Sequence, residues 1–187
     1  PGDEDDYFQS SLFTIARRRI LWLLILVLAN GLTTKVIAMN DQILKEIVLL
    51  AAFIPLLIGT GGNVGAQSST VVIRGLSTQK LKSLGAIKAV LKEAITGALL
   101  GVLMMLVVFP FAWWQGEGPL IASAVGISLI SITTLAATTG AILPLLFDRM
   151  KLDPALMSSP FITTVTDIAG VFIYLSTAKW LLSSSLA

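Results

Sequence analysis

One carboxylate lies in the middle of a long apolar segment of this chain. Asp167 stands near the centre of the stretch from Pro154 to Leu182, and the nearest basic residue there, Lys179, is about three helical turns away. A charged side chain at the bilayer centre costs roughly 2.5 to 3.5 kcal/mol on insertion scales, and it usually marks an ion or proton path. The sequence therefore predicts cation chemistry at Asp167. The alternative is a structural aspartate that accepts hydrogen bonds from neighbouring threonine hydroxyls.

Polar and small residues surround Asp167 at helical spacing, because residues three or four apart are neighbours on a helix. The predicted stripe contains Ser159, Thr163, Thr166, Asp167, Gly170 and Tyr174. A second stripe in an earlier segment contains Gly59, Asn63, Gln67 and Thr70. Amide oxygens can face a cation, and glycine lets a backbone or a hydrated ion approach closely. The positions that we predict to line an ion path are Ser159, Thr166, Gly170, Asn63, Gln67 and Gly59.

Small residues in membrane helices have a second common use, which is close helix packing without any ion. For the stripe around Asn63 and Gln67 the two interpretations are about equally supported. A weaker stripe of Ser131, Thr134 and Thr138 favours packing. The run Gly59–Thr70 also resembles a phosphate-binding loop, but it lacks the GK[ST] ending and a preceding strand.

Composition sets the class of protein. The 187 residues are 55% hydrophobic and 13% charged, with a mean hydropathy of +0.87, whereas soluble domains carry about 25% charged residues. Repeated apolar runs of about 18 residues or more predict an all-α, polytopic membrane protein. Cysteine and histidine are both absent, which excludes disulfides, thiolate metal sites and histidine ligands. Any metal must be held by oxygen, and oxygen ligands favour Mg²⁺, Ca²⁺ or Mn²⁺.

Five membrane-spanning helices must position these residues. They are predicted at about 20–39, 43–73, 88–113, 120–147 and 154–182, with a polar turn at 40–42, an interfacial aromatic turn at 113–119 and a charged turn at 148–154. Residues 1–16 are expected to be the end of a cytosolic connecting segment, and 17–187 a five-helix pore domain. The chain begins without methionine and is interpreted as a fragment.

The glycine-rich run of the second helix allows two arrangements, a re-entrant loop or one long helix that crosses fully. With five full crossings, ten of the 13 basic residues share one side and three lie on the other. A re-entrant second helix would move the five cations between residues 74 and 92 to the opposite side. Because basic residues stay on the cytoplasmic side, we predict full crossings in the plasma (inner) membrane, with the N-terminus cytoplasmic and the C-terminus outside.

One carboxylate per chain is a weak site for a divalent cation, but a symmetric dimer brings two. Mg²⁺ dehydrates reluctantly and keeps most of its waters, so two carboxylates with carbonyls and hydroxyls form a suitable site for the hydrated ion. We therefore predict a homodimer with a pore on its axis, lined by the last helix and the second helix.

Two long motifs resemble the transmembrane domain of the MgtE family of magnesium channels. They are PLLIGTGGNVGAQSSTVVIRGL (55–76) and DPALMSSPFITTVTDIAGVFIYL (153–175), each on the expected helix. The resemblance implies a homodimeric, inward Mg²⁺ channel in which Asp167 is the selectivity carboxylate and the backbone carbonyl of Thr163 is a second metal ligand. It also implies an N-terminal cytosolic Mg²⁺-sensing region in the full-length chain. The family often has Asn where Ser159 stands and Ala where Thr163 stands.

The functional hypothesis is thus a Mg²⁺-selective channel that conducts hydrated divalent cations, with Mg²⁺ as the transported ion and the lipid bilayer as its environment. The alternative is a secondary transporter that exchanges a divalent cation for protons or sodium through the same carboxylate. Five spans offer no inverted repeat, and the chain has no histidine for a proton relay, which argues against exchange. A purely structural subunit would leave Asp167 unexplained. Neither an enzyme nor a nucleic-acid partner is predicted, since no nucleophile–base pair or metal cluster is visible.

Overall fold

Long helices make up the described part of this protein. The structure is a computed structural model, and it describes residues 11–78 and 85–185. Within those residues the chain forms helices and no strand, which confirms the all-α prediction. In chain order they are α1 (Leu12–Ala38), α2 (Asp41–Glu46), α3 (Val48–Ser77), α4 (Ala86–Ala112), a π-helical turn (Trp113–Glu117), α5 (Gly118–Arg149) and α6 (Pro154–Ser185).

Four of the described helices are long and apolar enough to cross a membrane. These spans are Val48–Ser77, Ala86–Gln115, Gly118–Arg149 and Pro160–Ser183. The first helix contributes a shorter apolar stretch, Leu23–Ala38, because Arg17, Arg18 and Arg19 occupy its earlier turns. The chain is therefore a polytopic helical membrane protein, and a fifth crossing by α1 stays a prediction.

Helix α5 is the centre of the bundle. It packs against α3, α4 and α6, whereas α1 packs mainly against α6. In the most apolar membrane-spanning stretch of α5, 61% of the residues are buried, against 17% in that of α4. Leu129 and Ile132 of α5 are fully buried, together with Leu57 of α3 and Leu175 of α6. Burial of side chains of this size from several helices holds α3 and α6 against α5.

Glycines set the closest approaches in this core. A Cβ built on Gly97 of α4 would lie 2.5 Å from the Thr133 carbonyl oxygen and 2.6 Å from the Ala137 Cβ. A Cβ on Gly140 of α5 would overlap the Gly65 carbonyl oxygen of α3. Only a residue without a side chain lets the backbones meet at these points, as is common between membrane helices.

The second predicted helix is divided near its start in the structure, where the short helix α2 comes before α3. The expected polar turn at 40–42 leads into α2, where Lys45 and Asp41 form an exposed ion pair of 2.6 Å one helical turn apart. The hydrogen bond from Lys45 lowers the pKa of Asp41. At Ile47 the backbone becomes extended (φ −130°, ψ 84°) before α3 begins.

The glycine-rich run lies wholly within α3, so the prediction of one long helix is confirmed and the re-entrant arrangement is excluded. The domain boundary predicted between residues 16 and 17 falls inside α1, and residues 1–10 of the predicted connecting segment lie outside the described residues. The division into two domains stays a prediction.

Candidate functional site

Asp167 lies half-buried on α6. Two threonine hydroxyls close to it in sequence are used elsewhere: Thr163 donates to the Pro160 carbonyl at 3.0 Å, and Thr166 donates to the Ile162 carbonyl at 2.7 Å. Among the described residues, the Asp167 carboxylate has neither a hydrogen-bond donor nor a cationic partner. The alternative of a structural aspartate held by these threonine hydroxyls therefore finds no support.

Helix α3 separates the two uses of small residues onto two faces. Gly59, Asn63 and Gln67 are exposed, whereas Gly61 and Gly65 are buried. A Cβ on Gly61 would lie 2.5 Å from the Thr166 Cγ2, and a Cβ on Gly65 would lie 2.5 Å from the Ile162 Cγ2. Close packing and an accessible polar stripe thus coexist on the same turns of α3. The packing interpretation holds for Gly61 and Gly65, and an ion path along Asn63 and Gln67 stays a prediction.

The polar positions of α3 and α6 lie at matching heights. Gly61 faces Thr166 and Gly65 faces Ile162, so a step of four residues forward on α3 matches a step of four residues back on α6. Because the rise per residue is constant along a helix, at about 1.5 Å, this antiparallel register places three pairs within about one residue of the same level: Gly59 with Asp167, Asn63 with Thr163, and Gln67 with Ser159. The accessible residues of the two stripes therefore lie at similar depths, and we call Gly59, Asn63, Gln67, Thr163 and Asp167 together the α3–α6 strip.

A polar groove extends this strip along α3. It has a volume of about 630 Å³ and is lined by Asn63, Ala66, Gln67, Thr70, Val71 and Arg74. Arg74 was not among the predicted site residues, although its position four residues beyond Thr70 continues the spacing of the stripe. The strip thus has a carboxylate at the level of Gly59 and a guanidinium at its other end.

The predicted site positions on α6 other than Asp167 do not all lie on the accessible surface. Thr166 is fully buried and Gly170 is buried with the Ile132 side chain beside it, so both face the packed interior of the subunit, while Thr163 is exposed. Residue 159 belongs to α6, but the side chain of Ser159 lies outside the described part. A pore-lining role for Thr166, Gly170 and Ser159 stays a prediction.

The Thr163 carbonyl lies within the regular helix α6, where it accepts from the amide four residues on. A carbonyl oxygen has two lone pairs, so this group can still face an ion from the exposed side of the helix. Among the described residues there is no group of three or more His, Cys, Asp or Glu that could hold a metal. Within the α3–α6 strip, Asp167 is therefore the one carboxylate that the described residues of a single subunit offer to a cation.

The fold and this strip define a class of protein, a polytopic helical membrane domain with an accessible polar surface on two of its apolar helices. Comparison with known proteins is more specific, because the MgtE family, described as divalent cation transporters, matches residues 54–177. The chain belongs to the MgtE family.

Three curated relatives support this assignment. The chain is 39% identical over 166 residues to the magnesium transporter MgtE of Thermus thermophilus, which covers 89% of this chain and 37% of the relative. It is 33% identical over 176 residues to MgtE of Bacillus subtilis, with 94% and 39% covered, and 34% identical over 168 residues to MgtE of Enterococcus faecalis, with 88% and 36% covered. The chain thus spans a little more than a third of the length of these relatives.

Proposed function

We propose that this domain conducts Mg²⁺ across the inner membrane as a passive channel, with Asp167 as the residue that selects the ion. The observation that carries the proposal is the Asp167 carboxylate itself. It lies in a spanning segment, is half-buried, and has no described protein partner for its charge. A carboxylate in this position is costly unless a cation compensates it. The curated relatives are named magnesium transporters, which supports Mg²⁺ as that cation.

The pore forms between two copies of the chain. One subunit presents a single carboxylate, whereas a two-fold axis beside the α3–α6 strip brings two Asp167 side chains together with two Thr163 carbonyls. An ion that keeps its water shell needs such a ring of oxygens more than direct ligation by many side chains. Gly59, at the level of Asp167, has nothing within 4 Å of its Cβ position and so leaves room for the hydrated ion.

The distribution of the basic residues indicates the orientation of the domain in the membrane and the direction of ion movement. Arg74, Arg149 and Lys151 lie at one end of the bundle and Lys179 at the other. The more basic end is cytoplasmic, so the groove around Gln67 and Arg74 opens toward the cytoplasm and the ion moves inward from the Asp167 level. In a longer chain, an N-terminal Mg²⁺-sensing region would join this end through α1.

Flux through reconstituted protein tests the proposal. Mg²⁺ uptake is measured in proteoliposomes at fixed membrane potential without a pH or Na⁺ gradient, for the wild type, Asp167→Asn and the control Asp148→Asn, an exposed carboxylate at the end of α5. We expect Asp167→Asn to lower Mg²⁺ flux by about tenfold or more, because two charges near a divalent ion are worth more than about 1.4 kcal/mol. Asp148→Asn should retain wild-type flux. Flux that requires or creates a proton or sodium gradient would instead assign Asp167 to an exchanger.

The dimer is tested separately, and the absence of native cysteine makes single-cysteine variants specific. Thr163→Cys and Phe172→Cys lie on nearly opposite faces of α6, since nine residues are two and a half turns, and both side chains are exposed. A thiol-reactive cross-linker should trap dimers of Thr163→Cys much more efficiently than dimers of Phe172→Cys. Equal trapping of both variants, or none, would contradict a pore beside the α3–α6 strip.

A further inference from the structure

An apolar groove lies between the start of α4 and the end of α5, far from the α3–α6 strip. We call it the α4–α5 groove. It has a volume of about 350 Å³, and it is lined by Ala86, Ile87, Val90, Leu91, Ile142, Leu145, Leu146 and Arg149. Ile87 is 77% exposed and Leu91 57% exposed, and both belong to α4, the least buried span of the bundle. The groove is therefore open on the surface of the bundle that the membrane surrounds.

One charged group stands at the rim of this apolar surface. Arg149 is the last residue of α5, and among the described residues no carboxylate forms an ion pair with it. Lys88 and Lys92 are exposed on the adjoining turns of α4, whereas Lys151, exposed just beyond α5, does not line the groove. Arg149 is thus the charged residue among the side chains that line an otherwise apolar groove.

The first turn of α4 adds backbone amide donors at the same end, without a side-chain cap among the described residues. Its N-cap is Gly85 (φ 83°), which has no side chain to accept from the amides of the first turn. Ala86 and Ile87, which carry two of these amides, both line the groove. Uncapped amides and the positive end of the helix dipole favour an anion, in addition to the guanidinium of Arg149.

We propose that the α4–α5 groove binds one anionic phospholipid. An acyl chain lies along Val90, Leu91 and Leu146, and the phosphate accepts hydrogen bonds from the Arg149 guanidinium at the level of the α4 N-terminus. Arginine suits this role because its planar fork of donors matches phosphate oxygens. A second copy of the chain is a poor occupant, since a symmetric contact here would bring two Arg149 side chains together. The ligand is recognised by its combination of a negative headgroup and a hydrocarbon chain.

Native mass spectrometry of the detergent-purified protein measures the proposed binding. Phosphatidylglycerol and phosphatidylcholine with identical acyl chains are titrated into the wild type, Arg149→Gln and the control Lys151→Gln. We expect the first phosphatidylglycerol to bind the wild type about fivefold more tightly than phosphatidylcholine. Arg149→Gln should remove this preference and Lys151→Gln should retain it. Arg149→Lys keeps the charge and should retain part of the preference, which gives a result even where Arg149→Gln does not fold.

The contribution of the hydrocarbon is measured with a matched pair on α4. Leu91 and Leu99 are 57% and 58% exposed, but only Leu91 lines the groove. Leu91→Ser should weaken phosphatidylglycerol binding, and Leu99→Ser should not. The proposal is overturned by equal wild-type affinity for the two lipids, by equal losses in Arg149→Gln and Lys151→Gln, or by equal losses in the two leucine variants. Binding of glycerol 3-phosphate as tight as that of the lipid would assign the site to a free anion and would also overturn it.

Discussion

The α4–α5 interface and the α3–α6 interface are both built on glycines, yet they differ in the polar groups that share the turns of those glycines. Between α4 and α5, Gly97 and Gly101 lie against Thr133 and Ile130, and the hydroxyl of Thr133 donates to the Leu129 carbonyl. Between α3 and α6, Gly61 and Gly65 pack equally closely. Here the same turns also carry exposed Asn63 and Gln67 on the opposite side of α3.

This difference shows that small residues and polar residues have two separate physical roles in these helices. Small residues allow backbone contact and thereby hold the helices together, in both interfaces. Polar groups that donate to their own helix backbone satisfy themselves and need no ion, as Thr134 does toward Ile130 at 2.6 Å. The side chains of Asn63, Gln67 and Asp167 have no such internal partner among the described residues, so they point to function.

The largest expected effect tests whether close contact at a glycine holds two helices together. Gly97→Ala should destabilise the protein by about 1 to 3 kcal/mol, because its Cβ would meet the Thr133 backbone oxygen, which cannot move aside. Thermal unfolding in detergent measures the change. Gly59→Ala is the matched control, since nothing lies within 4 Å of its Cβ position. A melting temperature lowered equally by both variants would mean that the local fit at Gly97 is not what holds α4 to α5.

An intermediate effect tests whether the exposed amides of α3 contribute to ion flux. Asn63→Leu and Gln67→Leu should each lower Mg²⁺ flux by roughly two- to tenfold, since each removes one hydrogen-bonding group worth about 0.5 to 1.5 kcal/mol to a hydrated ion. Thermal stability should stay near that of the wild type because both side chains are exposed. If instead stability fell and flux per folded protein did not change, these amides would belong to packing and the comparison would fail.

The smallest effect separates two threonines with the same hydrogen bond. Thr70 donates to the Ala66 carbonyl at 2.9 Å on the exposed face of α3, and Thr134 donates to the Ile130 carbonyl on α5. Each change to valine should cost about 1 kcal/mol or less in stability. Thr70→Val should lower flux by no more than about threefold, and Thr134→Val should leave flux unchanged. A larger flux defect in Thr134→Val would place the ion path along α5.

The helices and the central carboxylate were predictable from the sequence because both depend on local patterns. Apolar length predicts spans, and Asp167 is conspicuous because no basic residue lies near it. Which face of α3 is buried was not predictable, since Gly59 and Gly61 are alike in composition and differ only in what lies opposite them. The matching heights of Asn63 and Thr163 depend on contacts between residues that are about 100 positions apart in sequence, beyond the reach of any helical periodicity.

The break in the helix before α3 was also not predictable from the sequence. The backbone at Ile47 interrupts the helix without proline or glycine, whereas Pro55 lies inside the continuous helix α3. Packing of the turns around Leu50 and Phe53, both buried in the core, outweighs the local preference at each of these positions.

The central position of α5 has a consequence for how the chain is made. Helices α3 and α4 contact each other only slightly, and both rely on α5 for their packing. When the ribosome has released the first 117 residues, the glycine surfaces of α3 and α4 have no partner in the growing chain. Tertiary structure can therefore begin only after α5 has entered the bilayer, and until then the inserted helices depend on lipid or on the insertion machinery to cover their polar residues.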